Sequence, residues 1–553
     1  MRRAAHVAAS ALLIVAFAAA TAAQASAAQG DEPIPMTVAI VVPITAPEHD
    51  GSLLDADELA LATAPTGALT RKLNAVLPTS ATIAVDPMIL ASIRVLGAAA
   101  PSSALEWLDR LETAPNDVFL LAYADADLSP FARAGSLDLA QPLGFRFAID
   151  ATQFSPEQTT TPTASPTPTP SPTSAGPAGP HPYPTTDELL ALPGVVGRIA
   201  WPAAGSVTSD DLPAYRDAGY DAVLLSSANA SETSSARVDL GGVAGLVSDS
   251  AVSELLRQAT APGDDAARLD ASARLGAALD GLDAAHPGRS VILALDRDAT
   301  STPFGLASAL SSVESRASTR IVGLSRVLAG AAEPATVVET AAGIREQRAP
   351  ALLAADRAEE AFANILADPL QLTAPRRLDL LTLFSVRDGD AAFSKDADGF
   401  VTRSAAILDS VSIVEGTPLL VTSSNTILPI RISNGLDFAV TVRVTARPLQ
   451  PRIQIESPQD VTVEPGSSKV VKLNAQAITN GAVQVRVTLT SPTTGAQIGV
   501  SRLLPVDLQA QWETVGLIVG GVAALVFAVG IVRNVLLRRR RAAAARTSGR
   551  PAE

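Results

Sequence analysis

Acidic side chains that follow short apolar runs are the residues of this 553-residue chain best placed to do chemistry. Asp86 follows the run 81–85, Asp125 and Asp127 follow 118–121, Asp249 follows 243–248, and Asp296 follows 291–295. A Glu48-His49-Asp50 cluster comes soon after the run 36–42. If those runs are parallel strands, these groups gather at the C-terminal strand ends, the edge on which α/β enzymes carry their active sites. Two carboxyl groups facing each other there, about 5 to 9.5 Å apart, act on a glycosidic bond as acid and nucleophile. Asp86 and Asp125 are the pair expected to fill those catalytic roles. His49, Tyr123, Asp127, Trp201 and Asp296 are expected to bind ligand at the same mouth, with Tyr123 and Trp201 as an apolar platform for a sugar ring. Aspartate also accepts backbone hydrogen bonds in turns and caps the following helix, and Asp86 before Pro87 suits that role. The spacing admits both readings.

Composition closes off most other chemistry. There is no cysteine, so disulfides, thiolate metal sites and thiol nucleophiles are excluded. The four histidines are His6, His49, His181 and His286, with no H-x-x-x-H among them, so a metal-dependent deacetylase lacks its ligands and no metal or other cofactor is expected. Asp388-Gly-Asp390 and Asp396-Ala-Asp398-Gly399 are pieces of a calcium loop. Ser394 takes its first position, however, and Ala405 stands where a bidentate Glu is needed, which predicts a polar loop between helices. Neither G-x-S-x-G nor a phosphate-binding Gly-rich loop occurs. Net charge is -14, and nucleic acid is an unsuitable partner for so acidic a chain.

The elements that must position these residues follow from periodicity. Runs 36–42, 81–85, 118–121, 195–201, 222–226, 243–248, 291–295 and 320–324 read as strands buried on both faces. Helices are predicted over 57–77, from Ser103 (with Ser103 and Glu106 as a capping box), and over 211–218, 253–259, 265–284 and 304–314. Strand and helix in alternation predict a (β/α)-barrel-like domain over 36–410, complete or partial, with an open parallel sheet as the alternative. Its last part, 331–409, reads as a helical closing segment with helices at 337–345, 354–366 and 401–409. A Thr/Ser/Pro-rich stretch, 153–184, interrupts the domain as a solvated insert and a substrate for O-glycosylation.

After residue 411 the period changes to two. Leu428, Ile430 and Ile432 alternate with Pro429, Arg431 and Ser433, and Asn434-Gly435 supplies a hairpin turn into Val440, Val442 and Val444. Further strands at 461–463, 470–473, 483–489 and 498–505 predict an immunoglobulin-like β-sandwich over 411–507. Residues 515–532 then carry no charge over a length that spans a bilayer core. Arg533, Arg538, Arg539, Arg540 and Arg541 follow, which predicts a basic cytoplasmic tail at 533–553. Residues 1–27 read as a signal peptide. The expected topology is single-pass in the plasma membrane, with the N-terminal ectodomain outside. Asn229-Ala-Ser231 is an N-glycosylation sequon, and Gly516 and Gly520 have the spacing of a helix-dimerisation face.

The segments VAIVVPITAPEHDG, TGALTRKLN, ATIAVDPMIL, EWLDRL and LLAYADADLSPFARAG, between Val38 and Gly135, resemble a family of actinobacterial cell-envelope proteins of unknown function. Members are often encoded beside a lipid II flippase. The resemblance implies this architecture and a place in cell-wall assembly, with cell-wall glycan or a flippase-type membrane protein as partner. It supplies no catalytic residues. The expected function is therefore a membrane-anchored extracellular accessory factor that binds glycan or a partner. The alternative is a glycan-active hydrolase using Asp86 and Asp125.

Overall fold

The computed structural model describes residues 35–546 except 48, 50, 155–182, 262, 298–301, 417, 510 and 511. The signal peptide, most of the Thr/Ser/Pro-rich insert, Glu48, Asp50, His181 and the last residues of the tail lie outside the described residues. The chain divides into two compact units, one of residues up to 357 with 370–402, the other of 358–369 with 403 onward.

In the first unit, strands β1 (Met36–Ile44), β2 (Thr82–Val85), β3 (Val118–Leu120), β4 (Ile199–Ala200), β5 (Ala222–Ser226), β6 (Arg237–Asp239), β7 (Ala244–Ser248), β8 (Ser290–Ala294), β9 (Thr319–Val322) and β10 (Glu333–Pro334) make one curled sheet. Parallel pairing runs β3-β2-β1-β8-β7-β5-β4, giving a half-barrel. The chain leading into β4 returns to β3, where Val196 N–H donates to Val118 O at 2.9 Å. β9 lies parallel to the first half of β1. Short β6 runs antiparallel to β7 and carries β10 on its other side.

The strand runs are continuously apolar because both faces are covered. Ala39, Val41, Ala84, Phe119, Ile199, Leu224, Leu246 and Ile292 pack together although they come from different strands, which is the concave side of the curl. Val38, Ile40, Val42, Ile83 and Val85 point the other way, into the larger cluster that the surrounding helices complete.

Several local expectations are corrected. The helix expected over 57–77 is two helices, Ala56–Thr63 and Ala68–Val76. The break falls at Gly67, where a Cβ would sit 2.2 Å from the Ala62 carbonyl. The Ser103 capping box does not form; Pro101 precedes the helix Ser102–Glu112, and Ser103 Oγ bonds Thr63 Oγ1 at 2.9 Å. Residues 337–343 are not helical: Val337 bridges Ala230, and the helix is Ile344–Ala363. Of the calcium-loop fragments, Asp388 and Gly389 lie in the loop between the helices Leu370–Leu383 and Asp390–Asp409, as expected, whereas Asp396-Ala-Asp398-Gly399 lies inside the second helix.

The second unit holds β11 (Val411–Ile413), β12 (Leu419–Val421), β13 (Asn425–Asn434), β14 (Val440–Pro448), β15 (Ile453–Ile455), β16 (Gln459–Val463), β17 (Ser468–Ala477), β18 (Gly481–Thr490) and β19 (Gln497–Leu508). They form sheets β11-β13-β17-β15 and β12-β19-β18-β14-β16, antiparallel except for the β12–β19 pair. Asn434-Gly435 is not the predicted hairpin, since β13 and β14 belong to different sheets. Instead the Asn434 side chain is buried and ties the crossover, its Nδ2 donating to the carbonyls of Phe438, Val463 and Glu464 and its Oδ1 accepting from Leu436 N–H. The helix Trp512–Arg546 follows, and within it Gly516–Arg541, with mean hydropathy 2.2, is long and apolar enough to cross a membrane.

Candidate functional site

The parallel strands deliver their C-terminal ends to one edge of the half-barrel. Asp86 directly follows β2 and caps the helix Pro87–Val95, accepting from Met88 N–H at 2.9 Å. The same oxygen accepts from Ala124 N–H at 3.0 Å, which ties the end of β2 to the loop after β3. That loop turns through two left-handed residues, Ala124 (φ 57) and Asp125 (φ 53), a conformation that costs non-glycine residues on the order of 1 kcal/mol or more. The turn sends the Asp125 side chain inward, where Oδ1 meets Arg297 Nη1 at 2.8 Å. Asp127 Oδ1 accepts from Ser129 N–H and Ala203 N–H, each at 3.1 Å.

All three carboxyl groups are buried, between 1% and 2% exposed. Burial pushes Asp86 up to about 7, against the opposing pull of the Met88 N–H, and the charge of Asp125 adds to the rise. Asp125 is pushed up to about 6 by burial, with Arg297 offsetting part of the shift. Asp127 is raised by burial and partly restored by its backbone donors. Asp125 Oδ2 and Asp127 Oδ2 have no hydrogen-bond partner.

A segment of the helical region covers this half of the mouth. Asp127 N–H donates to Phe384 O at 2.8 Å and Val386 N–H to Asp125 O at 2.9 Å, so residues 384–386 lie against 125–127 as an antiparallel bridge. Arg345 Nη1 holds the carbonyls of Phe384 and Ser385, and Arg387 Nη1 reaches Ala46 O at 2.6 Å. Phe384 is fully buried between Phe131 and Phe393, with ring centroids 4.8 and 5.5 Å away. Tyr123 is buried too; its hydroxyl donates to Ser52 O at 2.7 Å and its ring packs on Phe145, so it presents no platform to solvent. Burial, then the charge of Asp86, holds its hydroxyl well above the usual tyrosine range. His49 is half-buried with Nδ1 donating to Pro47 O at 2.7 Å.

The other half, at the ends of β4, β5, β7 and β8, is open. Trp201 is half-buried there, with the Arg297 guanidinium 4.7 Å from its ring centroid. Arg297 also donates to the carbonyls of Trp201 and Pro202, so one buried cation joins the sealed half to the open one. Asp296, 63% exposed, lies 3.5 Å from Arg257 Nε, and Arg257 also clasps Glu254. Asp249 caps the helix Ser250–Thr260 through Val252 N–H, as the turn-and-cap reading anticipates. A cavity of about 170 Å³ lies among these strand ends, with Trp201, Asn229, Glu254 and Asp296 in its wall. Among the described residues, no group of three or more His, Asp or Glu side chains is placed to hold a metal ion.

Asp86, Asp125 and Asp127 are thus brought together, whereas Trp201 and Asp296 face a separate opening. Arg297, Arg345, Arg387, Glu254 and Asn229 were not among the residues anticipated from sequence. Arg297 had a signal, being the base immediately after Asp296 in a loop otherwise acidic. Asn229 was visible only as a sequon, and its buried amide, donating to Val207 O and Val338 O, is unavailable for glycosylation in the folded chain.

No curated protein matches the chain. Among solved structures it is similar to the α-amylase AmyC from Thermotoga maritima at 10% identity and a TM-score of 0.41, covering 67% of this chain and 92% of that one. It is also similar to WR4, a Caenorhabditis elegans MSP family member, at 12% identity and a TM-score of 0.14, over 18% of this chain and 98% of that one. The Escherichia coli chaperone DraB gives 12% identity and a TM-score of 0.15, over 18% and 56%. At these TM-scores none of the three bears on activity. A family model matches residues 4–553, and the chain belongs to that family of unknown function, DUF6049.

Proposed function

We propose that this chain is a membrane-anchored envelope protein whose half-barrel binds glycan, or a partner that presents it, as an accessory factor in cell-wall assembly or export, and that it does not cleave. Burial of the candidate acids carries the reading. Asp86 and Asp125, the pair a glycosidase would need, are at most 2% exposed and are bound to backbone N–H groups and to Arg297. A catalytic pair has to flank a bound sugar with an open approach, and that approach is occupied by residues 384–387. In this reading the apolar helix is the anchor, and the arginines after it favour a cytoplasmic C-terminus with the two units outside. The second unit serves as an immunoglobulin-like stalk. An actinobacterial host and a lipid II flippase as neighbour belong to the same reading.

The hydrolase reading has one observation in its favour. Raised carboxyls such as Asp86, near 7, are what an acid catalyst requires. Incubating the full chain in nanodiscs with peptidoglycan and arabinogalactan fragments decides between them. Retention of fragments without new reducing ends is expected. Cleavage that disappears in Asp86→Asn overturns the binding reading.

A further inference from the structure

The outer face of the five-stranded sheet in the second unit breaks a rule of strand pairing. In the antiparallel register of β14 and β18, Arg447 lies directly opposite Arg486, and Arg486 lies opposite Leu503 of β19. Residues so placed start about 5 Å apart on one face, and like charges there destabilise the sheet. Both arginines are exposed, and neither has a hydrogen bond or an ion pair among the described residues. The other arginines of these five strands are matched. Arg443 clasps Asp460 at 2.7 and 2.9 Å, and Arg502, whose register partner Val487 is buried in the core, meets Glu415 at 2.9 Å. Asp460 and Asp507 are the aspartates of these strands, and Asp507 stands four positions along β19 from Leu503, about 13 Å away. At the margins, Arg452 donates to Asn480 O and Lys469 to Thr462 O. Two positive charges are therefore concentrated at one point without a counter-charge. Their surroundings are neutral. Thr445 and Thr488 make the next pair on this face, Thr488 Oγ1 lies 3.1 Å from Ser501 Oγ, and Gln484 and Leu503 are exposed beside Arg486.

We infer that Arg447 and Arg486 bind one phosphate monoester group, carried on the end of an otherwise neutral saccharide. A monoester holds close to two negative charges at neutral pH, which matches the two guanidiniums, each donating to its oxygens. A carboxylate or a sulfate ester brings one charge and leaves one guanidinium unmatched. A polyanion or the anionic face of a bilayer presents charge after charge, whereas the next arginine on β14, Arg443, is already neutralised by Asp460. The fitting carrier is thus neutral, and Thr445, Gln484 and Leu503 offer it hydroxyl, amide and apolar contacts. The phosphate rests on this geometry alone; the saccharide carrier rests on the glycan-binding reading above, to which it adds a contact on the stalk.

The test uses the full chain in nanodiscs of neutral lipid, with glucose 6-phosphate, glucose 6-sulfate and inorganic phosphate titrated by calorimetry and retention of wall-glycan fragments measured alongside. Glucose 6-phosphate should bind, and glucose 6-sulfate should bind about tenfold more weakly or worse. Arg447→Gln and Arg486→Gln should each weaken glucose 6-phosphate by about tenfold or more. Neither should lower the melting temperature, because each removes a like-charge opposition. Lys472→Gln removes an equal charge from an exposed position of the other sheet, opposite Pro429, and should leave binding unchanged. Binding that survives both arginine substitutions, sulfate ester held as tightly as phosphate ester, or an equal loss in Lys472→Gln overturns the inference. Inorganic phosphate bound as tightly as glucose 6-phosphate overturns the saccharide carrier, as does displacement of the sugar by phosphatidic acid added to the nanodisc. Wall fragments retained with no glucose 6-phosphate binding overturn this inference and leave the half-barrel reading standing. Glucose 6-phosphate bound with no fragment retained overturns the half-barrel reading and leaves the arginine site. Failure of both measurements overturns both.

Discussion

Burial of Asp86 makes stability depend on pH in a direction opposite to that of most carboxylates. Its carboxyl is ordinary at 3.8 in the unfolded chain and pushed up to about 7 in the fold. The folded state therefore holds a proton that the unfolded state releases, and stability is fully present below the lower value and is lost as pH rises towards the upper one. The gap of about 3 units corresponds to about 4 kcal/mol, at 1.36 kcal/mol per unit. Of this, about 3 kcal/mol is lost between pH 5 and pH 8. Exposed carboxylates whose values are lowered, such as Glu254, Asp280 and Asp460, lose their effect only at more acidic pH, so they do not mask this window. The perturbation is Asp86→Asn, which keeps the side-chain shape and cannot ionise. Its amide oxygen retains the Met88 and Ala124 N–H bonds, while its NH₂ has to face the Ala46 N–H; that penalty does not vary with pH. Urea unfolding followed by fluorescence of Trp107 and Trp201, both in the first unit, at pH 5, 6, 7 and 8 supplies the measurement. Wild type should lose about 3 kcal/mol more than Asp86→Asn across that range. Equal slopes, or wild type gaining stability with pH, would refute the reasoning, because Asp86 would then be an ordinary ionised helix cap.

Three further outcomes follow from single contacts. Arg297→Ala strips Asp125 of its partner and frees the Trp201 and Pro202 carbonyls; it should destabilise the first unit by about 3 to 5 kcal/mol, and Arg297→Ala with Asp125→Asn by less, as read from urea midpoints. Asn434→Ala removes three donated bonds and one accepted bond at a buried crossover and should cost on the order of 3 kcal/mol, measured as lost hydrogen-exchange protection in β13 and β14 with β1 unchanged. A chain ended before residue 512 should move from the membrane pellet to the soluble fraction; retention through a carbonate wash would mean that the helix Trp512–Arg546 is not the anchor.

The strands were legible because burial on both faces writes an uninterrupted apolar run, and β1, β2, β5 and β8 fall within about two residues of where the runs place them. What local pattern could not carry was pairing. Asn434-Gly435 has the chemistry of a hairpin turn, yet its flanking strands enter different sheets, and that choice depends on what covers each face. The three residues of β6 were too short to show a period, and their glycine turn, Gly241-Gly242, sits at positive φ. At the site, the aspartates could be found from their positions after strands. Their burial could not, because the segment that covers them, 384–387, lies some 260 residues further along the chain from Asp125 and has no local signature of a lid.

The cover is also what separates binder from hydrolase in quantitative terms. Exposing Asp86 and Asp125 to a sugar means breaking the bridge between 125–127 and 384–386, releasing Arg387 from Ala46, and drawing Phe384 out from between Phe131 and Phe393. Three hydrogen bonds at about 1 kcal/mol each and one buried aromatic at about 2 to 3 kcal/mol put that opening near 5 to 6 kcal/mol. The open population is then about one molecule in ten thousand, and any turnover through it is slowed by the same factor. A ligand that bound only the open form would forfeit that energy from its affinity, whereas a ligand at the ends of β4, β5, β7 and β8 forfeits none, since Trp201, Glu254 and Asp296 already face the existing cavity. Arg297, bonded to Asp125 on one side and stacked on Trp201 on the other, is the contact by which the sealed half holds the open surface in place.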